Sequence, residues 1–193
     1  MSDTRPAPSR ILVGLGNPGA DYGPTRHNVG FRVVEEVARR RGIDLGTREC
    51  NALVGNDRAV TLVLPQTYMN RSGYAVRCLR ERQALQPEDL LVIYDEVHLP
   101  LGKLRLRGHG SPAGHRGMES VIENLGTDRV PRLRLGVAPE EGEPSGEALV
   151  DFVLAPFAAE EQEAVTAMIE RGADACELWL AEGLEAAMQR FNG

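Results

Sequence analysis

Two residues able to do chemistry together, His27 and Asp95, stand out by position. His27 lies between Arg26 and Asn28 where a helix is about to begin, and Asp95 directly follows the apolar run Leu90–Tyr94. A run without alternation reads as a central strand covered on both faces. Sites in open α/β sheets form outside the carboxyl ends of such strands. A histidine oriented there by a carboxylate acts as a general base on water near neutral pH, the carboxylate fixing the tautomer and supporting the imidazolium. The plainer readings are a surface histidine at a helix start and a turn-capping aspartate before Leu99-Pro100. Spacing alone leaves both open. The catalytic reading requires the two side chains to lie within about 3 Å.

Other chemistries find less support. Gly14-Leu-Gly16-Asn-Pro-Gly19 matches the G-x-G-x-x-G dinucleotide fingerprint, which needs its third glycine to open a helix that holds the pyrophosphate. Here Pro18 precedes Gly19, the chain runs on as loop through Pro24, and Glu35 and Glu36 fall inside a helix. No G-x-S-x-G elbow occurs, and neither Cys50 nor Cys78 adjoins a glycine turn or a histidine. If the chain is a hydrolase, water is therefore the expected nucleophile. His109 and His115 are six apart across a glycine loop with no carboxylate between them, which is not a helical ligand pair, so no metal is expected. Asn17, Asn28 and Asn70 read as turn or cap residues, Asn28 as the N-cap of the helix after it. Their neutral amides also offer the donor and acceptor that a peptide group needs. Met69 reads either as core filling or as an apolar wall.

The elements that must position these residues alternate along the chain. Strands are predicted at Ile11–Leu15, near 50–55 and 59–64, at Leu90–Tyr94, at Lys103–Arg107 and at Leu133–Val137. Helices are predicted over 29–41 with Gly42 as its stop, from Asn70 or Ser72 to about Leu85, over 114–125, and over 158–170 and 173–190. Residues 139–147 read as the longest linker and residues 1–9 as a flexible tail. This order predicts a single α/β domain over 10–193, with a twisted, mostly parallel or mixed sheet and helices on both faces.

The chain has 193 residues, 42% hydrophobic and 26% charged, which excludes disordered and fibrous classes. No apolar run approaches the roughly 18 residues of a membrane span, and no signal-peptide core opens the chain, so a cytoplasmic protein is expected. Cys50, Cys78 and Cys176 are widely spaced without a CxxC and read as reduced core thiols. The net charge of -6 hides an asymmetry: residues 1–134 carry +5 and residues 135–193 carry -11. A local basic face therefore remains available to a nucleic acid.

Taken together, several stretches resemble the bacterial-type peptidyl-tRNA hydrolase family. They are Val13-Gly-Leu-Gly-Asn-Pro-Gly19 with Tyr22 and Thr25-Arg-His-Asn28, Pro65-Gln-Thr-Tyr-Met-Asn70 with Ser72-Gly73, and Asp95-Glu96 with Leu99-Pro100 and Gly102. Gly114-His115 with Gly117, Arg132-Leu-Arg-Leu-Gly136 and Asp151-Phe-Val-Leu154 follow in the family's order. The resemblance implies a monomeric enzyme that cleaves the ester between a peptide and the 3' ribose of tRNA without a cofactor. It implies His27 as the catalytic base with Asp95 as its partner, and Asn17 and Asn70 as grips on the peptide, with Tyr22 and Met69 near them. It places His115 on a mobile lid.

It also implies that Lys103, Arg105, Arg107, Arg132 and Arg134 hold tRNA phosphates; Lys103, Arg105 and Arg107 alternate on one strand face, and Arg132 and Arg134 on another. The chain departs from the family where Arg116 replaces the usual Asn, where Pro112 stiffens the lid, and where His98 stands at an often acidic position. Arg116 is expected to face the tRNA backbone or to pair with Glu96 or Glu119. The competing reading is an inactive relative that binds RNA as a processing or splicing partner; the retained His27, Asp95, Asn17 and Asn70 argue against it.

Overall fold

A computed structural model describes residues 10–142 and 144–193; the expected tail of residues 1–9 lies outside them. Within β1 (Ile11–Gly14), Leu12 points into one hydrophobic core while Ile11 and Val13 point into another, as the two-residue period of a strand requires. Against the first face pack α1 (Val29–Arg41) and α5 (Gln162–Glu182), burying Phe31, Val34, Val37, Met168 and Trp179. Against the second pack α2 (Ser72–Arg82) and α3 (Arg116–Leu125), through Val76, Leu79, Met118 and Val121. Both faces are thus covered, as expected.

The sheet is mixed. β4 (Thr61–Pro65), β5 (Leu90–Pro100) and β7 (Arg132–Ala138) run parallel to β1 at its centre. β2 (Thr47–Glu49) and β3 (Ala52–Asn56) extend one side and β6 (Leu104–Arg107) the other, all by antiparallel pairing. The strand order is β2-β3-β4-β1-β5-β7-β6. At the β6 border the side chain of Asn192 accepts from the Leu106 N–H at 2.7 Å and donates to its carbonyl at 3.0 Å. No helix among the described residues is long and apolar enough to cross a membrane.

The predicted helix over 29–41 matches α1, which stops at Gly42 with φ 64°, a left-handed cap that glycine adopts without steric cost. The C-terminal helices differ from expectation. α5 runs unbroken through Gly172, where a Cβ would stand 2.9 Å from a methyl of Val33. Glycine there serves a close helix contact rather than a break. The break falls instead at Gly183, φ 91°, before α6 (Leu184–Phe191). The expected linker leads into an additional helix, α4 (Glu147–Val153).

The cysteine reading is corrected for two of the three residues. Cys50, at the turn joining β2 to β3, is disulfide-bonded to Cys78 of α2, their Cα atoms 5.8 Å apart, a separation usual for such bonds. Cys176 is a buried free thiol.

Candidate active site

The site forms at the edge where β1 and β4 end, while β5 runs on past them to Pro100 and carries Asp95 within the strand rather than after it. Gly14 of β1 is level with Ile93 of β5, so the residues after Gly14 and Asp95 reach that edge together. α1 is drawn against this edge because Gly14 and Gly30 carry no side chains: a Cβ on Gly30 would collide with the carbonyls of Ile93 and Leu15. Of the glycines in the dinucleotide-like fingerprint, Gly14 thus serves backbone packing, Gly16 makes room for the Phe31 ring and Gly19 turns the chain at φ 109°. After Gly19 the chain continues as turns until a short 3-10 segment, Arg26–Asn28, carries His27 to the start of α1.

His27 Nδ1 lies 2.9 Å from both carboxylate oxygens of Asp95. A second imidazole reaches the same group, with His115 Nε2 2.9 Å from Oδ1. His115 Nδ1 accepts the N–H of Met118 at 3.2 Å, capping α3, so the hydrogen of the neutral ring must sit on Nε2 and point at Asp95. Tyr94 supports this arrangement, its ring 4.6 Å from that of His115; burial pushes its hydroxyl up to about 12. Asp95 is almost fully buried. Burial opposes its charge, yet the attraction and hydrogen bonds of His27 and His115 hold its carboxyl well below the usual range. For His27, burial favours the neutral ring, and the Asp95 carboxylate outweighs it, raising the pKa above 6.5.

Asn28 does not cap α1 with its side chain. Its Oδ1 accepts the Asn17 N–H and its Nδ2 donates to the Asn17 carbonyl, both at 2.9 Å, the bonding pattern of a neighbouring strand. Asn17 Oδ1 in turn accepts the Met69 N–H at 2.9 Å. With its oxygen so engaged, Asn17 keeps its amide N–H groups for the cavity that it lines.

That cavity has a volume of about 620 Å³ and is lined by Asn17, His27, Met69, Asp95, Glu96, His115 and Arg116, among others. Its far wall is apolar, made by Leu149, Val150, Val153 and Leu154 at α4. Sequence reasoning missed this wall, because α4 buries no residue and lacks the stripe that marks a packed helix. It also missed Arg26, whose guanidinium holds the carbonyl of Pro156 at 3.0 Å and Glu161 at 2.9 Å, tying the His27 turn to the segment after α4.

The other expected site residues divide. Tyr22 is half-buried and Asn70 exposed, and neither is among the residues lining the cavity. Lys103, just before β6, and Arg107, at its end, are exposed, and Arg105 is paired in register with Arg134 of β7. Arg134 bonds Glu96 at 3.2 Å. Arg132 is corrected. It is 2% exposed and donates to the carbonyls of Val130, Gly110, Ser111 and Asp128, so its guanidinium fastens the loop before His115 and is closed to phosphate. Arg116 is exposed at the cavity mouth and, among the described residues, pairs with neither Glu96 nor Glu119.

The ligand atoms of His27, Asp95 and His115 lie within 4.8 Å of one another, but the trio does not fit a metal ion. A metal on His115 Nε2 would put the ring hydrogen on Nδ1, facing the Met118 N–H that Nδ1 now accepts.

Comparison with known proteins agrees with the geometry. The family model for peptidyl-tRNA hydrolase matches residues 11–193. A peptidyl-tRNA hydrolase of Methylacidiphilum infernorum is 45% identical over 183 residues, covering 94% of this chain and 97% of that protein. One of Halalkalibacterium halodurans is 45% identical over 187 residues, covering 95% of this chain and 100% of its own. The crystal structure of peptidyl-tRNA hydrolase from Acinetobacter baumannii superposes with a TM-score of 0.87 at 32% identity, covering 95% and 94% of the two chains. The chain belongs to the peptidyl-tRNA hydrolase family.

Proposed function

We propose that this cavity hydrolyses the ester joining a peptide to the 3' ribose of tRNA, with His27 as general base. The observation that carries the reading is the His27–Asp95 contact at 2.9 Å in a cavity also lined by Asn17. With Nδ1–H donated to Asp95, Nε2 is the basic nitrogen. It takes a proton from water as the oxygen attacks the ester carbonyl, giving a tetrahedral oxyanion and an imidazolium supported by Asp95. Collapse breaks the carbonyl–ribose bond, and the imidazolium returns the proton to the ribose oxygen. The products are a free peptide acid and tRNA with its 3' hydroxyl restored.

Asn17 offers its amide N–H groups to the substrate carbonyl or the oxyanion. Met69 and the apolar wall at α4 accept peptide side chains, and Asn70 and Tyr22 contact the peptide from outside the cavity. Lys103, Arg105, Arg107 and Arg134 contact tRNA phosphates, which positions the substrate without reading sequence. The enzyme acts as a monomer in the cytoplasm.

Release of N-acetylphenylalanine from its tRNA ester, measured for wild type and His27→Ala, tests the reading. Turnover should fall by about 10²–10⁴ in the variant. Turnover independent of His27 would sink the assignment by placing the chemistry at another site.

A further inference from the structure

Arg116 sits where local physics disfavours it. It is the first residue of α3, at the end whose dipole repels a cation, and it has no acidic partner among the described residues to compensate. Its Cα is nevertheless held firmly. His115 beside it is bound to Asp95, the His115 N–H donates to the Pro112 carbonyl at 2.9 Å, and Arg132 fastens Gly110 and Ser111 further back. A fixed base with a free guanidinium is a preorganised donor.

The charge of the surrounding cavity says what it awaits. The lining includes the carboxylates of Asp95 and Glu96, and among the described residues Arg116 is its one permanently charged cation. Asp95 is engaged by two imidazoles and Glu96 by Arg134, so Arg116 is the lining group whose positive charge is left to meet a polyanionic substrate. In a peptidyl-tRNA the scissile ester is uncharged, and the fixed charge closest to it is the phosphodiester on the 5' side of the terminal ribose. A planar guanidinium binds such a group through two parallel hydrogen bonds.

We propose that Arg116 binds the phosphodiester next to the scissile ester and so makes the enzyme select esters carried on at least two nucleotides. The inference rests on the peptidyl-tRNA reading above. In this role Arg116 fixes where the ester carbonyl falls relative to His27 and takes no part in proton transfer.

The test uses two small esters of N-acetylphenylalanine, one on the 3' hydroxyl of adenosine and one on that of cytidylyl-(3'→5')-adenosine, which adds a single phosphodiester. Wild type, Arg116→Gln and Arg116→Lys are compared on both and on the full tRNA ester. Wild type should prefer the dinucleotide ester through KM, and rising salt should erode that preference. Arg116→Gln should reduce the preference by about 10–100-fold, the range for a charge-assisted hydrogen bond, with kcat on the dinucleotide ester within about two-fold. Arg116→Lys should retain part of it, having the charge without the fork. A preference that survives Arg116→Gln would overturn the proposal by placing the phosphate elsewhere. An equal fall in kcat on both esters would overturn it by placing Arg116 at the reacting atoms. Wild type inactive on the tRNA ester itself would instead defeat the underlying reading, and the proposal with it.

Discussion

His115 Nε2 lies 2.9 Å from Asp95 Oδ1, so one buried carboxylate serves two imidazoles at once. The His115 N–H withdraws part of the negative charge that would otherwise act on His27. His115→Ala should therefore raise the pKa of His27 and move the acid limb of the kcat/KM profile to higher pH. The shift, measured against wild type, should accompany a fall in kcat of about 10-fold or less, since the base itself is retained. An unchanged acid limb would show that His115 acts only as the cap of α3.

The sign of the pH dependence follows from His27 and Asp95. Only neutral His27 takes a proton, so kcat/KM should rise with pH through a value above 6.5. Asp95→Asn removes the group that raises it and should move that limb downward while lowering the plateau. Stability runs by the same linkage. The depressed Asp95 contributes stability above its unfolded pKa near 3.8 and loses it as pH falls further. The raised His27 contributes below 6.5 and loses it as pH climbs through its folded value. Urea titrations of wild type and Asp95→Asn across this range should converge at the acid end.

Arg132→Met should be costly although it touches no substrate. Removing the guanidinium strands buried carbonyls that it now satisfies, each worth about 1–3 kcal/mol when left unpaired. Chemical denaturation should register a loss of about 2–4 kcal/mol. Because the same group fastens the loop before His115, activity should fall at temperatures where the variant is still folded.

Reduction of Cys50–Cys78 should lower stability more than activity. The bond closes a loop with a sequence separation of 28, for which constraint of the unfolded chain predicts about 2–4 kcal/mol. Thermal melts with and without dithiothreitol, beside a Cys50→Ala, Cys78→Ala double variant, read this directly. Equal melting of all samples would show that the crosslink adds nothing to the fold.

Neutralising Lys103, Arg105 and Arg107 together should raise KM for the tRNA ester and flatten its dependence on salt, with kcat nearly constant. The adenosine ester, which has no tRNA body, should be cleaved with the wild-type KM. Equal losses on both would mean that β6 supports the fold and that the tRNA rests elsewhere.

Positions set by local periodicity were legible in the sequence. α1 falls on its predicted span because Phe31, Val34 and Val37 repeat at helical spacing before a glycine stop, and β5 betrays itself by an unbroken apolar run. From that run the placement of Asp95 at the sheet edge followed, whereas its approach to His27 was left open by spacing and implied only by the family resemblance. Features made by contact between distant segments were not legible. Gly172 reads as a breaker until Val33 is seen against it. Arg132 reads as a strand-face cation until the loop carbonyls surround it. Asn28 reads as a cap until Asn17 arrives to occupy both ends of its amide. In each case the residue type suits two roles, and the chain's return path chooses between them.

Asn192 has a consequence for how copies of this molecule behave in concentrated solution. A sheet border with bare peptide groups recruits strands from other molecules. Here a single carboxamide imitates the missing peptide unit at Leu106, answering both its donor and its acceptor. An incoming strand would have to displace that imitation before registering its own first pair of bonds. Strand recruitment at Leu106 is therefore opposed by one side chain, which neither the active site nor the hydrophobic cores would lead one to inspect.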